Sequence, residues 1–500
     1  MIPAGWSTLD NRTLVATALG YTGVAVAAGV PVAIGISGGA GLGVALAWVL
    51  PFAAALIVLG TAADYVRLLK TRYRTGEERV ELHTGLLFTQ RRSLARERIR
   101  TVDLTANPLL RIVGLVKVKI GTGERAESGQ STLTLDAVTR EEGDRLRREL
   151  LRRAEQGEAP TGEGSLAVLD PGWIRYAPLS FVAPALGIAA GGAVMQVSEW
   201  FGLQKGVIAW VGDLFRDLPL VAMIVVLAAI LLVVGVIGSL GLWVEMWWNF
   251  HLEREPGGTL RVRRGLLTTR SISLEERRLR GVDVVEPLGT RLAGAARVDA
   301  IATGIAQQQE NEKTDSKTLL PAAPKDIADR VAADVLREPV APTAAVRLAG
   351  HPVAARGRRL RWAVGSALLL VAILAVLGWL LTDVLLHIAW IAAVVTLPVA
   401  VLLALDAYRS LGHGITGEYL VARSGTVRRS TVALQRGGVI GWRVKQSVFQ
   451  RRAGLVTVMA TTAAGAGGYS VLDAGQDQGL LFAEDAVPGL LSEFLERDSR

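Results

Sequence analysis

Three arginines are the most regular polar residues of this sequence. Arg111, Arg291 and Arg451 each stand three residues before a glycine. A guanidinium group can bind a phosphate through two parallel hydrogen bonds, or it can form an ion pair that holds a sheet together. Occurrence at all three places favours the structural role, because a scaffold needs the residue each time. Both roles stay open.

A second basic group consists of Arg67, Lys70, Arg72 and Arg74, which follow an apolar segment. Each positive charge close to an anionic membrane surface contributes about 1 kcal/mol of attraction. Lysine and arginine beside a membrane segment are also retained on the cytoplasmic side and so determine its orientation. These four residues are therefore candidate contacts to anionic lipid, and the two roles are compatible.

The composition argues against several kinds of chemical site. The chain has no cysteine, so it has no disulfide, thiolate metal site or cysteine nucleophile. Its histidines have no paired spacing and no H-E-x-x-H motif occurs, so we predict no metal and no cofactor. The five histidines are His83, His251, His351, His387 and His413.

Two glycine motifs imitate enzyme signatures without the context that those signatures need. Residues 35–39 read Gly-Ile-Ser-Gly-Gly, which matches G-x-S-x-G, but they join two apolar segments instead of a strand and a helix. Residues 121–126 imitate a dinucleotide fingerprint, but another strand follows where a helix is required. We predict no catalytic residues and no enzyme.

Long apolar segments alternate with ordinary soluble segments. Six of them are close to the ~20 residues that cross a ~30 Å hydrocarbon core, which predicts six transmembrane helices in three hairpins. They span residues 14–35, 43–60, 178–197, 218–242, 363–382 and 384–405. Between the third and fourth, residues 198–217 predict a short helix on the membrane surface.

Lysine and arginine concentrate at one end of these segments. Both termini and the three large segments are therefore predicted to be cytoplasmic, and the net charge of +9 belongs to a membrane surface instead of a nucleic-acid site. Asp64, Glu245 and Asp406 fall at the segment ends. We expect interfacial ion pairs there, with Arg67 and Arg409 as partners, and not a proton pathway.

One unit occurs three times along the chain. After each apolar pair come two glycines 29 residues apart: Gly85 and Gly114, Gly265 and Gly294, Gly425 and Gly454. A leucine stands nine residues after the first glycine of each pair. Chance does not explain this agreement. The resulting division is 1–63, 158–243 and 341–406 for the helix hairpins, and 64–157, 244–340 and 407–500 for the domains that follow them.

Each domain is predicted to be an antiparallel sheet with a C-terminal helix. Apolar and polar residues alternate on both sides of the first glycine, and the step onto that glycine predicts a hairpin. Another alternating strand follows the second glycine. Helical periodicity then predicts closing helices at residues 138–151, 324–336 and 484–495.

At this point the sequence resembles the bacterial pleckstrin-homology (PH) domain membrane proteins, in particular the YdbT-like group with three such domains. The resemblance covers nearly the whole chain. It implies a partly open sheet barrel capped by a helix, an architecture associated with binding and assembly, in a bacterial plasma membrane. Its carrying segments are residues 93–103 with 110–115, 273–283 with 291–294, and 433–442 with 451–454.

The favoured function is a non-enzymatic membrane protein whose three cytoplasmic PH-like domains act as interaction modules. Membrane lipids and another membrane protein are the expected partners; the latter could be a smaller PH-domain protein or a second copy of this chain. The alternative is a transporter or transporter subunit that uses the six helices. Polar residues inside the apolar segments are scarce, which argues against that alternative.

Overall fold

The computed structural model of the chain describes residues 6–76, 78–85, 90–99, 101–121, 132–151, 164–180, 182–303 and 317–491. The chain divides into two compact units, Met1–Glu276 and Arg277–Arg500. The division falls inside the second of the three predicted domains, so each unit contains parts of two sequence copies.

Long apolar helices account for much of both units. They are α1 (Thr13–Ala40), α2 (Leu42–Lys70), α5 (Val182–Trp200), α7 (Leu220–Trp247), α11 (Val353–Leu381) and α12 (Asp383–Arg409). By length and composition, five of them could cross a membrane; α5 becomes a sixth if it is counted with the 3-10 segment before it. A further short helix, α6 (Gln204–Leu214), lies within the predicted surface segment.

Close helix contact explains two glycines of the second apolar pair. A Cβ atom at Gly235 would lie 1.9 Å from the carbonyl oxygen of Ala183, and one at Gly187 would lie 2.0 Å from that of Leu231. The backbones of α5 and α7 therefore touch where only glycine fits. Small residues at such crossings are the usual means of close packing between membrane helices.

The prediction that residues 35–39 join two apolar helices as a turn is wrong. They are helical, because α1 continues to Ala40 and only Gly41 separates it from α2. In an apolar environment each backbone N–H and C=O group needs an internal partner, so a helix continues through glycines that would end it in water. Gly41 has a φ of 85° and forms the link.

The first unit contains two antiparallel sheets. Their strands are β1 (Ser7–Thr8), β2 (Arg72–Thr75), β3 (Arg79–Thr84), β4 (Gln90–Ala95), β5 (Thr101–Ala106), β6 (Leu115–Gly121), β7 (Thr132–Thr139), β8 (Gly164–Val168), β9 (His251–Glu255), β10 (Thr259–Arg264) and β11 (Thr269–Glu275). One sheet has the order β1-β2-β3-β4 and the other β7-β6-β5-β11-β10-β9-β8. Helices α3 (Pro108–Val113) and α4 (Arg140–Leu151) accompany them.

The second unit repeats this plan. Its strands are β12 (Leu279–Pro287), β13 (Ala295–Ala302), β14 (Thr318–Pro324), β15 (Gly412–Thr416), β16 (Tyr419–Ser424), β17 (Arg428–Gln435), β18 (Val439–Lys445), β19 (Leu455–Thr462) and β20 (Gly468–Gly475). The orders are β14-β13-β12-β17-β16-β15 and β18-β19-β20. Its short helices are α8 (Leu288–Leu292), α9 (Lys325–Leu336), α10 (Pro342–Ala345), α13 (Val448–Arg452) and α14 (Gln476–Ala486).

Each long sheet joins two sequence copies. Strand β5 of the first copy pairs with β11 of the second, and β12 of the second copy pairs with β17 of the third. We call these pairings the first and the second junction. At the first junction, Leu274 lies opposite Thr101. At the second, Leu434 lies opposite Gly281, and these two residues occupy the same positions of their copies as Leu274 and Thr101. The two junctions therefore have the same register.

Within the first copy, the two halves of the domain share one buried core. Val80, Leu82 and Leu94 of the first sheet share a buried core with Val118 of β6 and Leu146 of α4. The third copy forms an equivalent core between β16–β17 and β19–β20. Hydrogen bonding at the β5 edge, however, is to the next copy. A barrel closed within one copy remains a prediction.

Two of the predicted closing helices agree with α4 and α9, but the prediction for the third copy is wrong. The closing helix observed there, α14, begins at Gln476 and ends at Ala486, earlier than the predicted range 484–495. Phe482, Ala483 and Ala486 of α14 are buried in the core of the third copy, so packing against the sheet places the helix directly after β20. Residues 492–500 lie outside the described part of the chain.

Glycine is required at the two repeated positions of each copy for different physical reasons. Gly265 has a φ of 111°, and a Cβ atom there would lie 1.9 Å from the carbonyl oxygen of Thr268. The second glycine follows a short helix in the left-handed conformation; the N–H of Gly294, for example, donates to the carbonyl oxygen of Arg291 at 3.0 Å. The R-x-x-G pattern is thus a helix end.

Candidate functional site

The first junction contains a cleft of about 180 Å³. Of the residues that the structure describes, six arginines line it, and Asp144 is the one acidic residue that also lines it. The arginines are Arg111, Arg140, Arg261, Arg263, Arg264 and Arg270. This excess of positive charge in a concave surface is the main electrostatic feature of the junction, because such a surface concentrates the field that attracts an anion.

The floor of the cleft is neutralised by an ion network. Arg147 forms two hydrogen bonds with Glu255, at 2.6 and 3.2 Å, and Arg261 binds Glu255 at 2.8 Å and Asp144 at 3.4 Å. Burial alone raises the pKa of Glu255, but hydrogen bonds and charge from Arg147 and Arg261 hold that pKa below its ordinary value. The network therefore fixes the side chains of Arg261 and Asp144, which line the cleft.

The wall keeps guanidinium groups with unused donors. Arg111 is exposed and donates one hydrogen bond to the carbonyl oxygen of Leu266, although a guanidinium carries five N–H donors. Arg140 is exposed at the first position of α4 and has no side-chain partner among the described residues. These two side chains can bind an incoming anion without losing an existing ion pair.

The cleft lies beside the end of an apolar helix. Arg264 is buried with its guanidinium 4.4 Å from the centre of the Trp247 ring, in a cation–π contact. Trp247 is the last residue of α7, and Asn249 just after it lines the cleft. A tryptophan at a helix end is typical of the membrane–water interface, the level at which lipid headgroups lie.

The predicted arginines do not share one role. Arg111 lines the cleft. Arg291 binds Asp406 at 2.8 Å, and the same carboxylate accepts a hydrogen bond from the hydroxyl of Thr426 at 2.7 Å. Arg451 is exposed on α13 and has no side-chain partner among the described residues.

The carboxylates at the helix ends have other partners than expected. Asp406 binds Arg291, not Arg409, and Arg67 binds Asp136 at 2.6 Å, not Asp64. Glu245 accepts hydrogen bonds from the backbone N–H groups of Leu267 and Thr268, both at 2.9 Å. Glu245 and Asp406 thus hold the hairpin loop that follows the first glycine of their copy.

The second basic group, Arg67, Lys70, Arg72 and Arg74, is divided between a helix and a strand. Arg67 and Lys70 lie in the last turn of α2, whereas Arg72 and Arg74 lie on β2. Asp136 also accepts an ion pair from Lys117 at 2.8 Å. Arg67 therefore helps to fasten α2 to the sheet domain, and contact of these four residues with lipid stays a prediction.

A buried histidine pair in the second unit was not predicted from the sequence. Nδ1 of His413 lies 3.0 Å from Nε2 of His351, and Nδ1 of His351 lies 3.1 Å from the carbonyl oxygen of Asp473. Burial, together with the neighbouring His351, lowers the pKa of His413 to about 4. Burial also lowers the pKa of His351, so both rings are neutral near pH 7. No group of three His, Cys, Asp or Glu residues in the described ranges could hold a metal.

These features together define a multi-pass membrane protein with repeated antiparallel sheet domains. Comparison with known families agrees: the bacterial PH domain family matches residues 20–154, 207–339 and 362–480, and the chain belongs to that family. It is similar to the UPF0699 transmembrane protein YdbT of Bacillus subtilis (strain 168), with 23% identity over 421 residues, covering 81% of this chain and 82% of that protein. No solved structure matches it significantly.

Proposed function

We propose that this chain is a non-enzymatic plasma-membrane protein whose PH-like copies are cytoplasmic interaction modules, and that the cleft at the first junction binds the phosphate of an anionic lipid headgroup. Both termini are cytoplasmic in this proposal. Its partners are membrane lipids and a further membrane protein, either a smaller PH-domain protein or a second copy of this chain.

The observation that carries the proposal is the set of six arginines around one cleft, with Arg111 and Arg140 unneutralised. A phosphodiester can accept two parallel hydrogen bonds from a guanidinium, which is the geometry that arginine favours over lysine. The adjacent helix end at Trp247 supports a lipid as the source of the phosphate, since a headgroup lies at that level of the membrane.

Thermal unfolding of the full chain in neutral detergent tests the proposal. Because a ligand that binds the folded state stabilises it, phosphatidylglycerol should raise the unfolding temperature more than phosphatidylcholine does. The double variant Arg111→Gln with Arg140→Gln should lose most of that difference. The control is Arg145→Gln with Arg148→Gln, which removes the same charge from exposed positions of α4 outside the cleft.

Two outcomes would contradict the proposal. If the cleft variant and the control respond equally to phosphatidylglycerol, the cleft is not the binding site. If glycerol phosphate in solution raises the unfolding temperature as much as the lipid does, the cleft binds a soluble phosphate compound and not a membrane headgroup. The comparison uses the lipid-induced change, so a small difference in basal stability between variants does not affect it.

A further inference from the structure

Within the described residues, the third copy has one sheet edge that is not paired with another copy. Strand β18 of the third copy is the counterpart of β5 and β12, each of which pairs with the next copy. In the described part of the chain, β18 pairs with β19 alone. The outer N–H and C=O groups of an edge strand form a template on which another strand can be added.

A side chain on this edge is exposed where its counterparts are covered. Val444 of β18 is 44% exposed, whereas Leu104 of β5 is 7% exposed and Val284 of β12 is 0% exposed. These three residues occupy the same position, 19 residues after the first glycine of their copy. A strand added to β18 would cover Val444 as the junctions cover Leu104 and Val284.

The arginine of the R-x-x-G pattern shows the same difference. Arg111 donates to Leu266 of the next copy, and Arg291 binds Asp406 of the next copy. Arg451 of the third copy has no side-chain partner within the described ranges. An added domain would therefore supply an acceptor for Arg451 at the place that Asp406 occupies for Arg291.

The charge of the edge indicates what kind of strand it accepts. Arg443 of β18 stands where β5 has Asp103 and β12 has Asp283, and Lys445 follows two residues later. Opposite charges facing each other across a strand pair contribute roughly 0.2–1 kcal/mol, and like charges facing each other destabilise the pair. The β18 edge therefore favours a strand that carries carboxylates.

A second copy of this chain offers the wrong charge. Its free edge of the complementary type is β4, the first-copy counterpart of β11 and β17. The register of the two junctions would place Arg92 of β4 opposite Arg443. Two like charges at this pair oppose head-to-tail growth of the chain into open assemblies, which an unprotected edge would permit.

We propose that β18 is a docking edge for an antiparallel strand of another membrane-bound protein, which presents a carboxylate opposite Arg443 and a further acceptor to Arg451. This proposal rests on the interaction role given above, but not on the headgroup cleft. It specifies the partner chemistry: an acidic edge strand beside the membrane, in the register that the two internal junctions share.

The absence of cysteine allows a clean crosslinking test with the full chain. One preparation carries Lys445→Cys. The other carries Gln90→Cys with Arg91→Glu and Arg92→Glu, and so presents an acidic strand as a defined probe. Position 90 should face position 445, because Arg270 faces Thr105 at the first junction. Tags of different size identify the mixed disulfide after the two preparations are combined and oxidised.

We expect the acidic probe to form about ten-fold more mixed disulfide than a probe with Gln90→Cys alone, since one like-charge pair becomes an opposite-charge pair. Moving the cysteine out of register, with Ser93→Cys in place of Gln90→Cys, should lower the yield severalfold. Arg443→Gln in the partner preparation should remove the preference for the acidic probe.

Other outcomes would overturn the proposal. Equal yields from the acidic and the unaltered probe would mean that β18 accepts a second copy without regard to charge. Absence of the disulfide with the acidic probe would mean that β18 is not a docking edge, provided that the probe chain is folded. Thr105→Cys with Arg270→Cys, added to that chain in a separate preparation, reports folding through an internal disulfide. Lipid plays no part in the crosslinking measurement. A failure of the docking-edge proposal can therefore be distinguished from a failure of the proposal that the cleft binds lipid.

Discussion

At the second junction, Glu286 and Arg429 lie opposite each other and form hydrogen bonds of 2.9 and 2.8 Å. At the first junction, the same two positions are Ala106 and Thr269. The difference continues around them. Arg291 is neutralised by Asp406, whereas its counterpart Arg111 has, among the described residues, a carbonyl oxygen as its one side-chain partner.

The residues around the first junction also carry more positive charge. Arg261 and Arg264 line its cleft, and their counterparts in the third copy are Val421 and Ser424. Two junctions with one backbone register therefore differ in their side chains: an ion pair crosses the second, whereas Arg111 and Arg140 at the first have no carboxylate partner among the described residues. A repeated fold permits this, because the shared backbone contacts do not depend on those side chains.

The largest expected effect concerns what the junctions share. Gly265→Ala and Gly425→Ala should each destabilise the unit that contains them by on the order of 3 kcal/mol. Both glycines have positive φ, 111° and 103°, and a Cβ atom would lie about 2 Å from a carbonyl oxygen. Thermal or chemical unfolding of the full chain measures this. Gly437→Ala is the control, since nothing lies within 4 Å of its Cβ position. Similar losses at all three positions would contradict the common turn.

A smaller loss is expected from opening the second junction. Glu286→Ala should destabilise the second unit by about 2 kcal/mol, below the cost at a fully buried pair, because it leaves the half-buried Arg429 without its carboxylate. Adding Arg429→Thr recreates the pair at the first junction and should restore most of the stability. Unfolding temperatures of the single and double variants give the coupling between the two residues.

The reciprocal change tests whether this ion pair distinguishes the junctions. Ala106→Glu with Thr269→Arg places the pair at the first junction, where Thr269 lines the cleft. The response to phosphatidylglycerol should fall, because a new carboxylate then competes with the lipid phosphate. An unchanged response would show that the ion pair does not determine which junction binds an anion.

The sequence predicted the shared features well and the differences poorly. Regular glycines, leucines and apolar segments reveal the copies, the strands beside Gly114 and Gly454, and the long helices, since these follow from local periodicity. It did not reveal that β5 pairs with the next copy, because all copies carry compatible strands and only tertiary packing selects among them. The arginines on β10 and β11 were missed for the same reason: they approach Arg111 only through that pairing. Arg140 belongs to the same copy as Arg111, and its place near Arg111 depends on the packing of α4, whose first backbone N–H donates to the carbonyl oxygen of Gly114 at 3.4 Å.

A stability change of intermediate size should depend on pH and should differ between Asp103 and Asp283, which occupy the same position in two copies. Burial raises the pKa of Asp103 to about 7, and its Oδ1 atom has no hydrogen-bond partner among the described residues. Burial of its carboxyl group also raises the pKa of Asp283, but this carboxylate accepts a hydrogen bond from the hydroxyl of Ser430.

A pKa that is higher in the folded state means that ionisation opposes folding. The first unit should therefore lose stability as the pH rises from about 4 to about 7. Asp103→Asn should remove this dependence and stabilise the unit at pH 8 by on the order of 2 kcal/mol, with little change at pH 4. Unfolding across this pH range measures it, with Asp283→Asn as the comparison. A difference independent of pH would contradict the assignment.

The smallest expected effect distinguishes neutralised from unneutralised arginines within the cleft. Arg263 is 49% exposed and binds Glu253 at 3.2 Å, so its charge is already balanced. Arg263→Gln should leave basal stability within about 0.5 kcal/mol of the parent, since exposed ion pairs contribute little. Arg263→Gln should reduce the rise in unfolding temperature caused by phosphatidylglycerol less than Arg111→Gln alone does. Equal losses would mean that the cleft attracts lipid through its total charge, whereas a larger loss at Arg111 would mean that an unused guanidinium donor contacts the phosphate directly.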